Sequence, residues 1–163
     1  MKKIVLKFGG TSVGTIENIK KVANIIKRRH NEGNQIIVVV SAMSGGTNDL
    51  IQKSSLISKN FDKKEMDVLL SSGEQVSCSL LSGAIIDLGL KARTWLGWQI
   101  PIVTNDNHTR SQILKIKTGE VSNFISIGGI AVIAGFQGIS LDKRITTLGR
   151  GGSDLSAVAI AKF

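Results

Sequence analysis

The sequence has no tyrosine, one cysteine and one proline, and only 4% of its 163 residues are aromatic. So few rings argue against a nucleic-acid-binding module that stacks bases on exposed aromatic side chains. One thiol, Cys78, provides neither a disulfide framework nor a metal cluster, so we expect a reducing, cytoplasmic location and a buried, unreactive cysteine. No apolar stretch approaches the roughly 20 residues of a transmembrane helix, and we expect no membrane partner.

Acidic residues are also scarce. The 12 Asp and Glu against 21 Lys and Arg give a net charge of +9, which suits an anionic partner, either nucleic acid or a phosphorylated small molecule. The densest basic cluster, Lys27-Arg28-Arg29-His30, is more typical of a helix C-terminus, where cations complement the helix dipole. We therefore expect no nucleic-acid partner.

The order of apolar patterns predicts an α/β protein: a mostly parallel, doubly wound sheet with helices on both faces. Strands are predicted at 2–7, 35–40, 91–95 and 130–136, with a short extended segment at 145–147. Helices are predicted at 15–33, 48–58, 62–71, 74–88, 118–126 and 155–162, and 96–111 is predicted to be irregular. In such sheets ligands bind beyond the carboxyl ends of the strands. The loops at 7–14, 41–47 and 147–154 should therefore converge.

The loop at 7–14 is rich in glycine and follows a lysine, Lys7, at the end of the first strand. This arrangement can present a cation and backbone amides to a phosphate. The loop does not have the Walker A spacing, and neither this loop nor Gly149-Arg150-Gly151-Gly152 has the dinucleotide-binding spacing. Two ordinary tight turns are the alternative. Because Lys7 precedes one loop and Arg150 lies inside the other, we favour phosphate and carboxylate binding.

Several further polar residues have both an ordinary and a functional interpretation. Ser153 or Asp154 could simply cap a helix, and Glu74 could simply complement a helix dipole. The segment 41–48 could be only a flexible turn. Neither histidine, His30 or His108, has a metal-ligand partner at useful spacing, so we predict no metal site and place both at the surface.

Four segments decide between these interpretations. They are KFGGTSVG at 7–14, VVSAMSGGTN at 39–48, LLSSGEQVS at 69–77, and AGFQGI followed by ITTLGRGGSD at 134–154. In this order and spacing they resemble the catalytic domain of the aspartokinases, in the amino-acid kinase superfamily. The segment GWQIPIVTNDNHTRSQI at 97–113 is similar to the substrate-side loop of that family. The resemblance implies the three-layer sandwich of the superfamily, and it covers essentially the whole chain.

The resemblance implies a phosphotransferase that uses ATP, with its Mg2+, to phosphorylate the side-chain carboxylate of L-aspartate. Aspartyl phosphate is the entry to lysine, diaminopimelate, threonine and methionine synthesis. By the matching motifs, Lys7 would stabilise charge on the transferring phosphoryl group, and Asp154 would orient this lysine or the phosphates. The residues expected to bind the nucleotide phosphates are Lys7, Phe8, Gly9, Gly10, Gly151 and Gly152.

The same motifs imply an aspartate-binding set. Ser41, Thr47 and Glu74 would hold the amino acid, with Glu74 taking its ammonium group. Arg150 would bind the α-carboxylate, and Ser153 would touch the substrate. A carboxylate nucleophile is already ionised at neutral pH, so this chemistry needs no general base.

Aspartokinases are longer than this chain. The resemblance implies that 1–163 is the N-terminal part of the kinase domain, without the later nucleotide-binding segment and the regulatory ACT domains. Three explanations remain open: one piece of a split enzyme completed by a second polypeptide, a fragment of a longer protein, or an inactive remnant that at most binds ligand. A second chain or a homo-oligomer is accordingly an expected partner.

Overall fold

The computed structural model describes residues 2–162, which form eight strands and five helices. The elements in chain order are β1 (Lys3–Phe8), α1 (Ile16–Asn31), β2 (Gln35–Val40), α2 (Gly46–Ile57), α3 (Lys63–Asp87), β3 (Ala92–Trp95), β4 (Ile102–Thr104), β5 (Ile113–Ile116), α4 (Gly119–Ser126), β6 (Ile130–Ala134), β7 (Gln137–Ile139), β8 (Ile145–Thr147) and α5 (Gly152–Ala161).

Four parallel strands form the main sheet, in the order β1-β2-β6-β3. The two central strands, β2 and β6, consist almost entirely of buried aliphatic residues. Side chains of successive residues point to opposite faces of a strand, so such runs require cover on both faces. In the pairing of β1 with β2, Lys7 lies opposite Val39 and Phe8 opposite Val40, so both strands end at the same edge.

Helices cover both faces of this sheet, which confirms the predicted α/β class. Ile36, Val38 and Val40 of β2 pack in one core with residues of α1 and α3. Ile37 and Val39 of the same strand pack in a second core with residues of α4 and α5. The alternation along β2 therefore divides the interior into two apolar layers, one on each side of the sheet.

A second, mixed sheet of four short strands was not predicted. Its order is β5-β4-β7-β8, with β4 parallel to β7 and the two outer pairs antiparallel. The prediction that 96–111 is irregular is wrong, because β4 (Ile102–Thr104) lies within it. Strands of three or four residues do not show enough alternation for a sequence pattern to reveal them.

The helix α3 runs unbroken for 25 residues, so the predicted division into 62–71 and 74–88 is wrong. The serines at the predicted break do not interrupt the helix, because their hydroxyls bond back to it: Ser71 Oγ donates to Val68 O at 2.8 Å and Ser72 Oγ to Leu69 O at 2.7 Å. No helix within residues 2–162 is long and apolar enough to cross a membrane.

Other helix ends follow their local signals. Thr15 caps α1, accepting from the amide of Asn18 at 3.2 Å, and Gly33 after this helix has a left-handed φ of 82°. The helix α5 begins at Gly152 rather than at Leu155 as predicted, directly after a left-handed Gly151. Cys78 is fully buried, as predicted, and burial raises the pKa of its thiol to about 12.

Gly138 lies in β7 at a position where β4 approaches too closely for a side chain. A Cβ at this position would lie 2.6 Å from the backbone oxygen of Ile102 in β4. We therefore expect Gly138→Ala to lower the free energy of unfolding by about 1–3 kcal/mol in urea titrations, the usual cost of overpacking. Gly119→Ala is the control, because a Cβ there meets open space. An equal effect of the two substitutions would contradict the described packing.

Candidate functional site

A cavity of about 630 Å3 opens where the three small-residue loops meet. Its walls come from the ends of β1, β2 and β8, the start of α2, the middle of α3 and the turn into α5. The lining residues are Lys7, Ser41, Ala42, Thr47, Asn48, Ile51, Leu70, Glu74, Thr109, Arg110, Phe136, Thr147 and the segment 149–154. The predicted convergence of the loops at 7–14, 41–47 and 147–154 is therefore confirmed.

Lys7 projects from the end of β1, and its Nζ lies 2.9 Å from the Asp154 carboxylate. The ion pair is partly open to solvent, with 29% of the Lys7 side chain and 67% of the Asp154 side chain exposed. An ammonium has three donors, so this one bond leaves Lys7 free to meet a ligand oxygen as well. A Cβ on Gly9 would lie 3.4 Å from Lys7 Nζ, so the ammonium lies close to the loop that follows β1.

The loop after β1 packs directly on the loop after β2. Ser44 donates its amide hydrogen to Gly10 O at 3.1 Å, and a Cβ on Gly10 would lie 2.8 Å from Ala42 O. Only a glycine permits this approach of two backbones without a shift. The contact sets the position of the loop that carries Ala42 and Ser41 into the cavity wall.

Glu74 is the most unusual group of the cavity, because its carboxylate is 4% exposed and carries no ion pair within the described residues. Its Oε1 accepts the amide hydrogen of Ala42 at 3.0 Å, whereas the buried Oε2 has no hydrogen-bond partner among residues 2–162. Burial raises the pKa of this carboxyl from 4.5 to about 7, against the opposing effect of the Ala42 hydrogen bond. A positively charged ligand group at Oε2 would satisfy the orphaned oxygen.

Cations exceed anions in the cavity wall. The cationic residues of the wall are Lys7, Arg110 and Arg150, and the acidic residues are Glu74 and Asp154. Neither arginine belongs to an ion pair within residues 2–162, and both residues are exposed. Unpaired guanidinium groups beside a buried carboxylate suit a ligand with carboxylate or phosphate groups and one cationic group.

The turn that carries Arg150 depends on left-handed glycines. Gly149 has a φ of 76° and Gly151 a φ of 72°, a region that side chains disfavour. Gly152 starts α5, where a Cβ would lie 2.9 Å from the Cβ of Leu148. The helix therefore begins in a tight turn beside the cavity, which aims its N-terminal end toward a ligand there.

Nine of the predicted site residues line this one cavity, and three do not. Those in the wall are Lys7, Ser41, Thr47, Glu74, Arg150, Gly151, Gly152, Ser153 and Asp154. Phe8, Gly9 and Gly10 lie outside the wall, behind Lys7, although Gly9 and Gly10 contact residues that belong to it. The roles assigned to these residues by resemblance stay predictions.

Sequence reasoning missed Thr109 and Arg110, which enter the wall from the connection between β4 and β5. The sequence indicated this part of the wall only through the similarity of the segment 97–113 to a substrate-side loop, and that similarity did not single out a residue. The expected surface position of His108 is wrong: its side chain is 7% exposed, and Nδ1 lies 2.6 Å from the fully buried carboxylate of Asp67. His30 is half-buried at the end of α1, with Nε2 at 3.2 Å from Gly128 O.

Fold and cavity define an α/β protein with a charged ligand site at the carboxyl edge of a parallel sheet. The chain belongs to the amino acid kinase family, whose model matches residues 2–163. It is 48% identical over 161 residues to an aspartate kinase of Stutzerimonas stutzeri and 48% identical over 158 residues to an aspartokinase of Geobacillus stearothermophilus. These alignments cover 99% and 97% of this chain, which spans 39% of each relative.

Solved structures of aspartokinases have a similar fold. The aspartate kinase of Synechocystis matches with a TM-score of 0.80 and 46% identity over 96% of this chain and 26% of its own. Aspartokinase III of E. coli, in complex with aspartate and ADP, matches with a TM-score of 0.82 over 97% of this chain and 46% of its own. At 22% identity the second match supports the fold alone.

The buried carboxyl of Glu74 makes stability depend on pH. The pKa of Glu74 is about 7 in the folded chain and 4.5 without burial, so the folded state binds the proton more tightly than the unfolded state. The free energy of unfolding therefore decreases as the pH rises through this range. We expect Glu74→Gln to gain stability relative to the wild type by about 3 kcal/mol between pH 4.5 and pH 8.

Urea unfolding at several pH values measures this difference. Glu120→Gln, at an exposed position of α4, is the control for removing one negative charge. A constant difference between Glu74→Gln and the wild type over the whole range would contradict the buried, unpartnered state of the carboxyl.

Proposed function

We propose that this chain carries the amino-acid site and the phosphoryl-facing lysine of an aspartate kinase. The reaction transfers the γ-phosphoryl group of ATP to the side-chain carboxylate of L-aspartate and yields 4-phospho-L-aspartate. The observation that carries the proposal is the buried Glu74 carboxylate with an unpartnered oxygen, in the same cavity as Lys7 and Arg150. An amino acid with a second carboxylate matches this distribution of charge.

The amino acid is bound through its two α-substituents in this proposal. Glu74 Oε2 accepts a hydrogen bond from the ammonium group, and the positive charge stabilises the ionised carboxylate that burial alone disfavours. Arg150 binds the α-carboxylate through two parallel hydrogen bonds. Ser41, Thr47 and Ser153 supply hydroxyl groups along the same wall. The side-chain carboxylate then remains as the nucleophile.

Phosphoryl transfer requires positioning and cationic charge rather than a base. A side-chain carboxylate has a pKa of about 4, so it is already ionised at neutral pH. Lys7 stabilises the negative charge that develops on the transferring group, and Asp154, at 2.9 Å from its Nζ, holds the ammonium in place. Among the described residues, no histidine lines the cavity, and this chemistry requires none.

The residues around Lys7 also suit the phosphates of a nucleotide. The cation, the glycine turn behind it and the N-terminal end of α5 can meet phosphate oxygens, with Gly9, Gly10, Gly151 and Gly152 providing close backbone approach. ATP supplies the phosphoryl group. No cluster of three or more His, Cys, Asp or Glu within residues 2–162 suits a metal ion, so in this proposal Mg2+ arrives bound to the nucleotide phosphates.

The remaining elements of the proposal rest on the aspartokinases that this chain resembles. Because the chain spans 39% of each of these relatives, contacts to adenine and ribose would come from a further polypeptide segment, either in a longer form of the same protein or on a second chain. A homo-oligomer is a further expected association. The product would enter lysine, diaminopimelate, threonine and methionine synthesis in the cytoplasm.

Formation of aspartyl hydroxamate with ATP and hydroxylamine tests the function. The assay is run on the chain alone and on the chain mixed with the remaining segment of the Geobacillus stearothermophilus aspartokinase. We expect Lys7→Ala to lower turnover about 100- to 1000-fold, because a preorganised charge at the transferring group is lost. Lys3→Ala, at an exposed position of the same strand, is the control and should keep wild-type turnover.

Two results would contradict the proposal. Near-normal turnover of Lys7→Ala would remove this lysine from the reaction. No hydroxamate from the wild-type chain under either condition would contradict the proposal that these residues support phosphoryl transfer to aspartate.

A further inference from the structure

The fully buried carboxylate of Asp67, which does not itself line the cavity, joins three parts of the fold. It accepts from His108 Nδ1–H at 2.6 Å, from the amide of Thr109 at 3.0 Å and from the hydroxyl of Thr147 at 2.5 Å. Asp67 belongs to α3 and Thr147 to the end of β8. His108 and Thr109 lie in the connection between β4 and β5. One carboxylate thus ties a loop and a strand end to the central helix.

These ties hold a backbone conformation that the chain would not adopt by itself. Thr109 has a φ of 70°, in the left-handed region that β-branched residues rarely occupy and that persists only where surrounding contacts impose it. Ser111 adds a further tie, donating its amide hydrogen to Thr147 O at 2.9 Å. A Cβ on Gly149 would lie 3.2 Å from Thr109 O, so the loop also rests on the turn before Arg150.

A buried histidine and aspartate are a costly way to stabilise a fold. Both groups must leave water, and apolar residues of similar volume often stabilise as much. His108 Nε2 is buried as well and has no partner within the described residues, so the imidazole is used only through Nδ1. The hydrogen bonds of the pair are directional, so they specify one arrangement of the loop. Apolar contacts, which are not directional, would not do so.

Arg110 is the residue that this arrangement presents. It follows the strained Thr109 directly, lines the cavity and belongs to no ion pair within residues 2–162. A Cβ on Gly149 would lie 3.7 Å from Arg110 Cγ, which places this side chain beside the turn of Arg150. The cavity therefore has two unpaired guanidinium groups on adjacent segments.

We propose that the Asp67–His108 pair positions Arg110 as the second carboxylate-binding group of the cavity, the one that selects a side-chain carboxylate. The inference rests on the proposed function, in which Arg150 takes the α-carboxylate. A planar guanidinium holds a carboxylate in one orientation, which places its oxygen for attack on the phosphoryl group. Arg110 is then a specificity-determining residue, and Asp67 and His108 are positioning residues.

Calorimetric titration of the 163-residue chain with L-aspartate and with L-asparagine tests the ligand contact. The two amino acids share their α-substituents and differ in the side-chain charge. We expect Arg110→Ala to weaken aspartate binding about 10- to 100-fold and to leave asparagine binding unchanged, so the preference for aspartate disappears. Arg150→Ala should weaken both ligands alike. Retention of the wild-type preference by Arg110→Ala would overturn the inference.

Substitutions at His108 test the positioning. His108→Ala should reduce the preference for aspartate as Arg110→Ala does, and should increase amide hydrogen exchange in the segment 107–111. His108→Asn, whose side-chain amide can donate to Asp67 in place of Nδ1–H, should restore both. His30→Ala, at the half-buried histidine of α1, is the control and should match the wild type.

The outcomes separate this inference from the proposed function. Wild-type exchange and preference in His108→Ala would overturn the positioning role. A general destabilisation would weaken both amino acids equally, without rescue by His108→Asn, and would also overturn it. If the wild-type chain binds neither amino acid, the proposed function fails, and the exchange rates of the two His108 variants then decide on the positioning alone.

Discussion

The parallel pairing of β1 with β2 is the constraint on which the rest of the site depends. Its register places Lys7 opposite Val39 and Phe8 opposite Val40, so the two chains leave the sheet side by side. Backbone bonds continue the alignment beyond the strands, since Ser41 donates its amide hydrogen to Phe8 O at 3.1 Å. A slip of β1 by one residue would turn Lys7 to the opposite face of the sheet, toward the apolar layer in which Ile4, Leu6 and Phe8 pack. The apolar layers on both faces therefore hold the edge that carries Lys7 in register.

The helix α3 places buried polar groups where these loops end. Asp67, Ser71 and Glu74 recur at spacings of four and three residues, so they share one face of the helix, and none is more than 4% exposed. Each meets a different neighbour: Asp67 the loop before β5, Ser71 O the side-chain amide of Gln137 at 3.0 Å, and Glu74 the amide of Ala42. A polar stripe facing an otherwise apolar interior costs desolvation energy. The cost is offset by hydrogen bonds everywhere except at Glu74 Oε2, where a ligand can supply the missing partner.

Much of this arrangement could be predicted from the chain alone. The runs of β2 and β6 are long and uniformly apolar, so their burial and parallel pairing follow from the pattern. The glycine loops and Lys7 were found because their residue types are informative without their surroundings. The second sheet was missed because three-residue strands such as β4 are defined by their partners. His108 was misplaced because its burial depends on Asp67, 41 residues away, and no local pattern links the two.

By itself the sequence determined the α/β class, the carboxyl-edge loops and the residue types that make a charged cavity, since all of these depend on local patterns of hydrophobicity and backbone freedom. Only the tertiary structure decided which charges remain without partners. Within the described residues, Glu74 Oε2 has no hydrogen-bond partner and Arg110 has no ion pair, and both facts depend on distances between segments far apart in the chain. Burial raises the pKa of Glu74 for the same reason, because desolvation arises from the atoms packed around the group and not from its neighbours in sequence.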